Sequence, residues 1–204
     1  FFYFVLKWEF NFIDNLGKAS ALSTDQIDVE NAKRYDITYT DENNEQQNPI
    51  ILHNSPSGAV ERIIYALLEK FAKQAKEGKR PQFPLWLTPT QVRLIPLKDN
   101  FLEFTSNLAS KLTKQNIRVD IDDRNDTIGK RIRDAEKEWV NYILVIGEKE
   151  VNSTSLSVRD RTTGNVRELS AEDLVKEIND ATNGKPFSKL NSTILLSQRP
   201  QIMV

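Results

Sequence analysis

Two groups of residues in this 204-residue chain have types and spacings suited to chemistry. The larger is a run of cations and an amide, Arg124, Asn125, Lys130, Arg131 and Arg133. It sits at a turn between an apolar strand pattern at 117–121 and a helix expected from about residue 128. Guanidinium and amide groups donate to phosphates and to the edges of unstacked bases. A turn at the carboxyl end of a strand and the amino end of a helix is where open α/β sheets present ligand contacts. Arg159 and Arg161 fall on a further strand of the same expected sheet. The plainer explanation for such a run is a solvated cationic face. No aromatic residue lies among these cations, so recognition there would work through hydrogen bonds and phosphates rather than base stacking.

The second group lies upstream. His53, the only histidine, ends an apolar strand pattern ahead of a small-residue loop at 54–58, and Glu61 and Arg62 follow in the first turn of a long helix. A lone histidine reads first as a hydrogen-bonded structural residue. As a ligand of catalytic zinc it would need at least two protein partners from outside this chain. Arg62 is badly placed for the helix dipole. Its other use is a guanidinium that clamps a phosphate or carboxylate in bidentate fashion.

The elements that must position these groups are legible in the apolar pattern. Trp8, Phe10 and Phe12 alternate with Lys7, Glu9 and Asn11, which predicts a half-buried strand over about 1–12. A turn at 14–17, a second strand into residue 24, and strands at 35–40 and 49–53 complete an antiparallel meander. Ser57 or Gly58 then starts a helix with Val60, Ile63, Ile64, Leu67, Leu68 and Phe71 along one face. It ends near Gly78, with Lys76, Lys79 and Arg80 where the dipole favours cations. Pro81 and Pro84 mark a domain boundary.

Beyond it the pattern reads strand 91–97, helix 100–115, strand 117–121, helix 128–138, strands 141–146 and 154–160, and helix 171–182, capped by Ser170 with Asp173. Strands alternating with helices predict a mixed sheet with helices on its faces. The fold class is therefore α/β, or α+β over the whole chain: an antiparallel sheet followed by a mixed one. The tail at 185–204 has apolar residues at 194–196 and no partner in the pattern.

Composition narrows the function. Charged residues are 28% and apolar residues 39% of the chain, ordinary for a globular protein. No apolar run reaches the roughly 18 residues of a membrane span. With no cysteine, disulfides and thiolate metal sites within the chain are excluded, which fits a reducing compartment. A formal net charge of −1 means that any nucleic-acid binding must come from a local basic patch. There is no Gly-rich phosphate loop, no Ser-His-Asp order and no paired-carboxylate signature. A first residue inside a strand pattern, with no Met, is expected of a piece that continues something larger.

Three segments carry a family resemblance: HNSPSGAVERIIYALLE (53–69), FPLWLTPTQVRLIPL (83–97), and DRNDTIGKRIRDAE (123–136) continued by LVIGEKEV (144–151) and SVRDRTTG (157–164). In this order and spacing the chain resembles the C-terminal part of the threonyl-tRNA synthetases, class IIa aminoacyl-tRNA synthetases, over about 1–184. The resemblance implies that 1–80 are the end of a catalytic domain including motif 3 and that 81–184 form an anticodon-binding domain. The tail at 185–204 has no implied role. The implied activity is ATP-dependent activation of threonine and its transfer to the 3′ end of tRNA(Thr).

The resemblance also assigns residues. Arg62 matches the motif 3 arginine that binds the ATP γ-phosphate. His53 matches one of three zinc ligands, where zinc takes the amine and hydroxyl of threonine and so rejects valine. Gln26, in STDQID (23–28), matches a glutamine beside the aminoacyl pocket. Asn125, Arg133, Glu150 and Arg159 match positions that contact anticodon bases. Implied cofactors and partners are Zn2+, ATP with Mg2+, threonine, tRNA(Thr) and a second subunit of a homodimer, in the cytoplasm and away from membranes.

The chain departs from the family pattern at Ala59-Val60, where Gly-Ser is usual, and at residues 3–7, which replace a Tyr-Gly-Pro-Lys and leave Tyr3 and Lys7 unassigned. Motif 1, the motif 2 arginine and two zinc ligands are not among these residues, so the chain by itself is expected to be catalytically incomplete. Two other readings compete. A prolyl enzyme shares the anticodon fold, but His53 upstream of Glu61-Arg62 opposes it. A non-catalytic synthetase-like tRNA-binding protein is supported by Ala59.

Overall fold

The computed structural model describes residues 3–200 and divides into two compact units, 1–79 and 80–204. Residues 1 and 2 of the first expected strand and the last four residues of the tail lie outside the described residues.

The first unit begins with β1 (Phe4–Ile13) and β2 (Ala19–Asp28), an antiparallel pair. They are joined by a turn in which the Asp14 carboxylate accepts the Leu16 and Lys18 amides at 2.8 Å each. Helix α1 (Asn31–Arg34), a small hairpin of β3 (Tyr39–Thr40) and β4 (Gln46–Gln47), strand β5 (Ile51–Ser55) and helix α2 (Val60–Lys76) follow. The sheet order is β1-β2-β5, so β5 rather than the segment at 35–40 is the third strand.

The expected strand at 35–40 is thereby corrected. Asp28 is buried, and its Oδ1 accepts the Glu30 and Asn31 amides at 3.0 and 2.9 Å, which folds the chain into the α1 turn. Asp36 then takes a left-handed conformation, φ 56°, which ends any extended run. Only Tyr39 and Thr40 are extended, and they pair with β4. Nor do Ser57 and Gly58 cap α2. Its N-cap is Ala59, with no side-chain cap, and Gly58 sits at φ 63°. The helix is fixed within its unit by polar contacts to the β1–β2 turn: Tyr65 Oη donates to Asp14 at 3.1 Å, and Asn15 donates its amide to Glu69 at 2.7 Å.

The second unit runs β6 (Val92–Pro96), α3 (Leu102–Lys114), β7 (Val119–Ile121), α4 (Ile128–Lys137), β8 (Tyr142–Ile146), α5 (Glu148–Val151), β9 (Ser155–Asp160), β10 (Val166–Ser170) and α6 (Ala171–Thr182). Its sheet order is β10-β9-β8-β6-β7, with β7, β6 and β8 parallel and β9 and β10 antiparallel. The expected mixed sheet is present, with one strand more than the sequence pattern showed. Alternate residues of β6 point to opposite faces. Val92 and Leu94 join Leu108 and Leu112 of α3 and Leu174 and Ile178 of α6 in the main core. Ile95 packs with Ala135 of α4 and with Val140 and Ile143 on the other face.

Two caps anchor the helices. The Ser170 hydroxyl accepts the Asp173 amide at 3.0 Å, the cap expected for the last helix, and Thr127 caps α4. The tail finds a partner after all. Ile121 donates its amide to Ile194 at 2.8 Å, Leu195 bridges to the free edge of β7, and Leu196 is buried. No described helix is long and apolar enough to cross a membrane.

Candidate nucleic-acid interface

The chain crosses from β6 to β7 on one side and then returns past β6 to β8 on the other. This reversal opens a crevice at the carboxyl ends of the parallel strands, the usual ligand position in such sheets. The crevice, about 680 Å³, is lined by Leu97, Lys98, Asp99, Asp123 and Asn125 among others. Asn125 is exposed there and makes no hydrogen bond to another described residue.

Most of the neighbouring cations are already engaged. Arg124 donates to both oxygens of Asp122, at 2.8 and 2.7 Å, and reaches Asp134 at 3.3 Å. The Asp122 partner, partly offset by burial, raises its pKa above the ordinary guanidinium value. Arg131 is buried and gives Nη1 to the carbonyls of Pro96 and Asp122, at 3.0 and 2.8 Å. Lys130 pairs with Asp126 at 2.7 Å. These three build the turn. Asn125 and Arg133 are left to face outward.

Arg133 and Arg159 come together elsewhere on the same face. Helix α4 packs on that side of the sheet, and the outward residues of β9, Ser157 and Arg159, lie beside it. Arg133 and Arg159 line a cleft of about 310 Å³ between α4 and β9. Arg159 lies 3.7 Å from Glu136 across it.

Glu150 connects the two places. It is buried, accepting the Gly147 amide at 3.1 Å on one oxygen and the Ser157 hydroxyl at 2.8 Å on the other. Gly147 in turn abuts Leu97, which lines the crevice, and Ser157 lies two residues from Arg159 on β9. The Glu150 carboxylate is thus held rigidly by two donors. Glu150→Ala should leave the buried Gly147 amide unsatisfied, while Ser157 can still donate to Glu168, and cost about 1–3 kcal/mol of stability, read from the denaturant midpoint.

In the first unit the sheet register sets Lys7, Gln26 and His53 directly opposite one another across β1, β2 and β5. Directly paired residues share a face, so these three form one polar row. His53 Nε2 is 2.8 Å from Asp28 Oδ2, and the Tyr3 ring lies edge-on at 5.9 Å. Burial pushes the Asp28 carboxyl up, but the Asn31 amide, His53 and the Glu30 amide outweigh it and hold the pKa well below the usual range. Arg62 is exposed and does not join this row. Its side chain lies over Gly58, where a Cβ would come 2.9 Å from the Leu22 carbonyl and 3.2 Å from Arg62 Nη1. That position is four residues back along β2 from Gln26, roughly 13 Å at the strand rise.

The sequence pattern missed Lys7, whose link to Gln26 depends on register, and Arg80. Arg80 was expected at the end of α2, but it belongs to the second unit and lines the α4–β9 cleft. Among the described residues there is no group of three or more His, Asp or Glu side chains arranged to hold a metal.

The second unit is thus a mixed-sheet α/β domain with a switch-point crevice that holds an outward amide and a separate cleft lined by guanidinium groups. Residues 91–181 match the family described as "Anticodon binding domain". A threonine–tRNA ligase of Nitrosopumilus maritimus (strain SCM1) is 70% identical over all 204 residues, which amount to 33% of that relative. One from Pyrococcus furiosus is 55% identical over 201 residues, 98% of this chain and 32% of the relative. The solved RNA binding domain of threonyl-tRNA synthetase from Cryptosporidium parvum Iowa II aligns at a TM-score of 0.64 and 25% identity, over 90% of this chain and 43% of that one. The chain carries the anticodon-binding domain of the threonyl-tRNA synthetase family, and it spans about a third of the length of the curated relatives it matches.

Proposed function

We propose that the protein to which this chain belongs is a threonine–tRNA ligase that activates threonine with ATP and transfers it to the 3′ end of tRNA(Thr) in the cytoplasm. The observation that carries this reading is the unbroken similarity of both units to threonine–tRNA ligases, at 70% identity along the whole chain. In this reading 1–80 close the catalytic domain and 81–184 select the tRNA. Asn125 in the crevice and Arg133 and Arg159 in the cleft contact bases of the anticodon loop. Glu150, pinned between them, presents its carboxylate edge to a base amine.

The first unit contributes pieces of an active site. Arg62 neutralises the γ-phosphate of Mg2+-bound ATP, a task suited to an always-charged planar fork. Gln26 borders the aminoacyl pocket, with Lys7 beside it in the same row.

His53 is suited to zinc. With Nε2 held by a buried carboxylate, Nδ1 is the nitrogen that would bind the metal, and ligating histidines commonly have such a carboxylate behind them. Bound zinc would supply a Lewis acid for the amine and hydroxyl of threonine, and its remaining ligands would come from residues outside this chain. A homodimer is the expected assembly of the whole enzyme.

Pyrophosphate exchange by the full-length protein tests the proposal. Exchange that depends on threonine and not on proline or valine is the expected result. Exchange with proline, or none with any amino acid while tRNA still binds, would overturn it.

A further inference from the structure

Five cationic side chains, Arg80, Arg133, Lys137, Arg159 and Arg161, line the α4–β9 cleft against the carboxylates of Glu136 and Asp160. Asp160 is already engaged, at 3.1 Å from Arg167 on the far side. Glu136 reaches Arg159 only at 3.7 Å. Arg80, Arg133 and Lys137 make no hydrogen bond or ion pair with another described residue. Like charges gathered together are unfavourable, and two carboxylates, one of them shared with Arg167, only partly offset five cations.

The cleft is built rather than incidental. Arg161 forms its back wall, donating Nε to Pro81 at 2.8 Å and Nη1 to the Glu136 carbonyl at 2.7 Å, with its guanidinium over the Trp139 ring. Burial, with the Arg80 charge adding to it, lowers the Arg161 pKa against the pull of Glu136, so Arg80 and Arg161 feel each other. The Arg80 guanidinium occupies the space that a side chain at residue 164 would fill. Gly164 turns the chain at φ 77°, and a Cβ there would collide with Cζ and both terminal nitrogens of the Arg80 guanidinium.

We propose that Arg80 and Lys137, beside the base-reading Arg133 and Arg159, form a notch for a backbone phosphodiester of the RNA strand whose bases are read around Asn125, with Gly164 leaving room for Arg80. This rests on the anticodon-reading proposal, and it gives the second unit a separate anchor that supplies affinity without base preference. Phosphate contacts fix register on the strand, while base contacts discriminate. Arg80 and Lys137 on the phosphate, and Asn125, Arg133 and Arg159 on the bases, divide those tasks between different residues.

The test is binding of a threonine-tRNA anticodon stem-loop RNA to the 204-residue chain at several salt concentrations, alongside loops with one anticodon base changed. Arg80→Ala should weaken all loops by the same factor and flatten the slope of log K against log salt by about 0.7–1. Gly164→Ala keeps every charge but displaces Arg80, and should reproduce the uniform loss. A circular dichroism melt of each variant separates this loss from unfolding.

Discriminating binding with a salt slope untouched by Arg80→Ala sinks the notch and leaves the base reading standing. Uniform binding to all loops, with the slope flattened by Arg80→Ala, keeps the notch and sinks the base reading. A wild-type chain that binds no RNA sinks both.

Discussion

Asp120→Ala is expected to destabilise the second unit by about 3–5 kcal/mol, a large share of what a domain of this size has. The Arg93 and Asp120 side chains are both fully buried, on the adjacent strands β6 and β7. Arg93 donates Nε and Nη2 to the two oxygens of Asp120 at 2.8 and 2.9 Å, a bidentate pair. Burial pulls the Arg93 pKa down, but Asp120 and then Glu138 raise it well above the ordinary value. Thr90 donates to Asp120 at 3.0 Å, and Arg199 of the tail approaches it at the same distance.

Removing the carboxylate leaves a charged guanidinium in the core, with Glu138 as its remaining acidic partner, half-exposed and screened. The Arg93 Nη1 group has no acceptor to begin with. Replacing both partners, Arg93→Met with Asp120→Leu, should recover most of the loss, because paired apolar groups carry no desolvation cost. Urea unfolding of both variants checks this. A loss below about 1 kcal/mol for Asp120→Ala would mean that the pair is hydrated in solution, contrary to the packing.

Arg62→Ala in the full-length protein is the second large effect. The expected loss is about 10²–10³-fold in threonine-dependent pyrophosphate exchange, the scale for removing one preorganised donor to developing charge. Stability should hardly change, because Arg62 is exposed at the start of α2 and makes no hydrogen bond beyond its backbone. Its first-turn position also opposes the helix dipole, so removal could even stabilise the isolated chain slightly. That combination, lost exchange with an unchanged melt, is what separates a triphosphate clamp from a solvated helix start. Unchanged exchange would remove Arg62 from the catalytic account.

Much of this architecture is legible in the sequence because its strongest elements are periodic. The strand–helix alternation of the second unit gives the parallel core directly, since β8 is an unbroken apolar run and β6 is apolar at every position but Arg93. Strand β10 was missed because it lies at the sheet edge: Val166 and Glu168 are exposed, and Leu169 is its one apolar inward residue. The strand expected at 35–40 failed for another reason. Side-chain bonds from Asp28 and Asp41 set the path of that segment, and hydrophobic period does not report them.

The candidate site divides the same way. Local patterning finds the cations of the β7–α4 turn but cannot tell which are consumed by Asp122, Asp126 and backbone carbonyls and which face outward. Arg80 escaped because it is far in sequence from Arg133 and Arg159, and only the fold brings them together.

The central claim is that the second unit reads an anticodon. Binding of this chain to a threonine tRNA transcript, beside transcripts with one anticodon base changed, tests it most directly. Each changed base should cost about 1–3 kcal/mol, and Arg159→Ala should erase much of that preference. Equal affinity for every anticodon would contradict the account and leave a generic basic surface in its place.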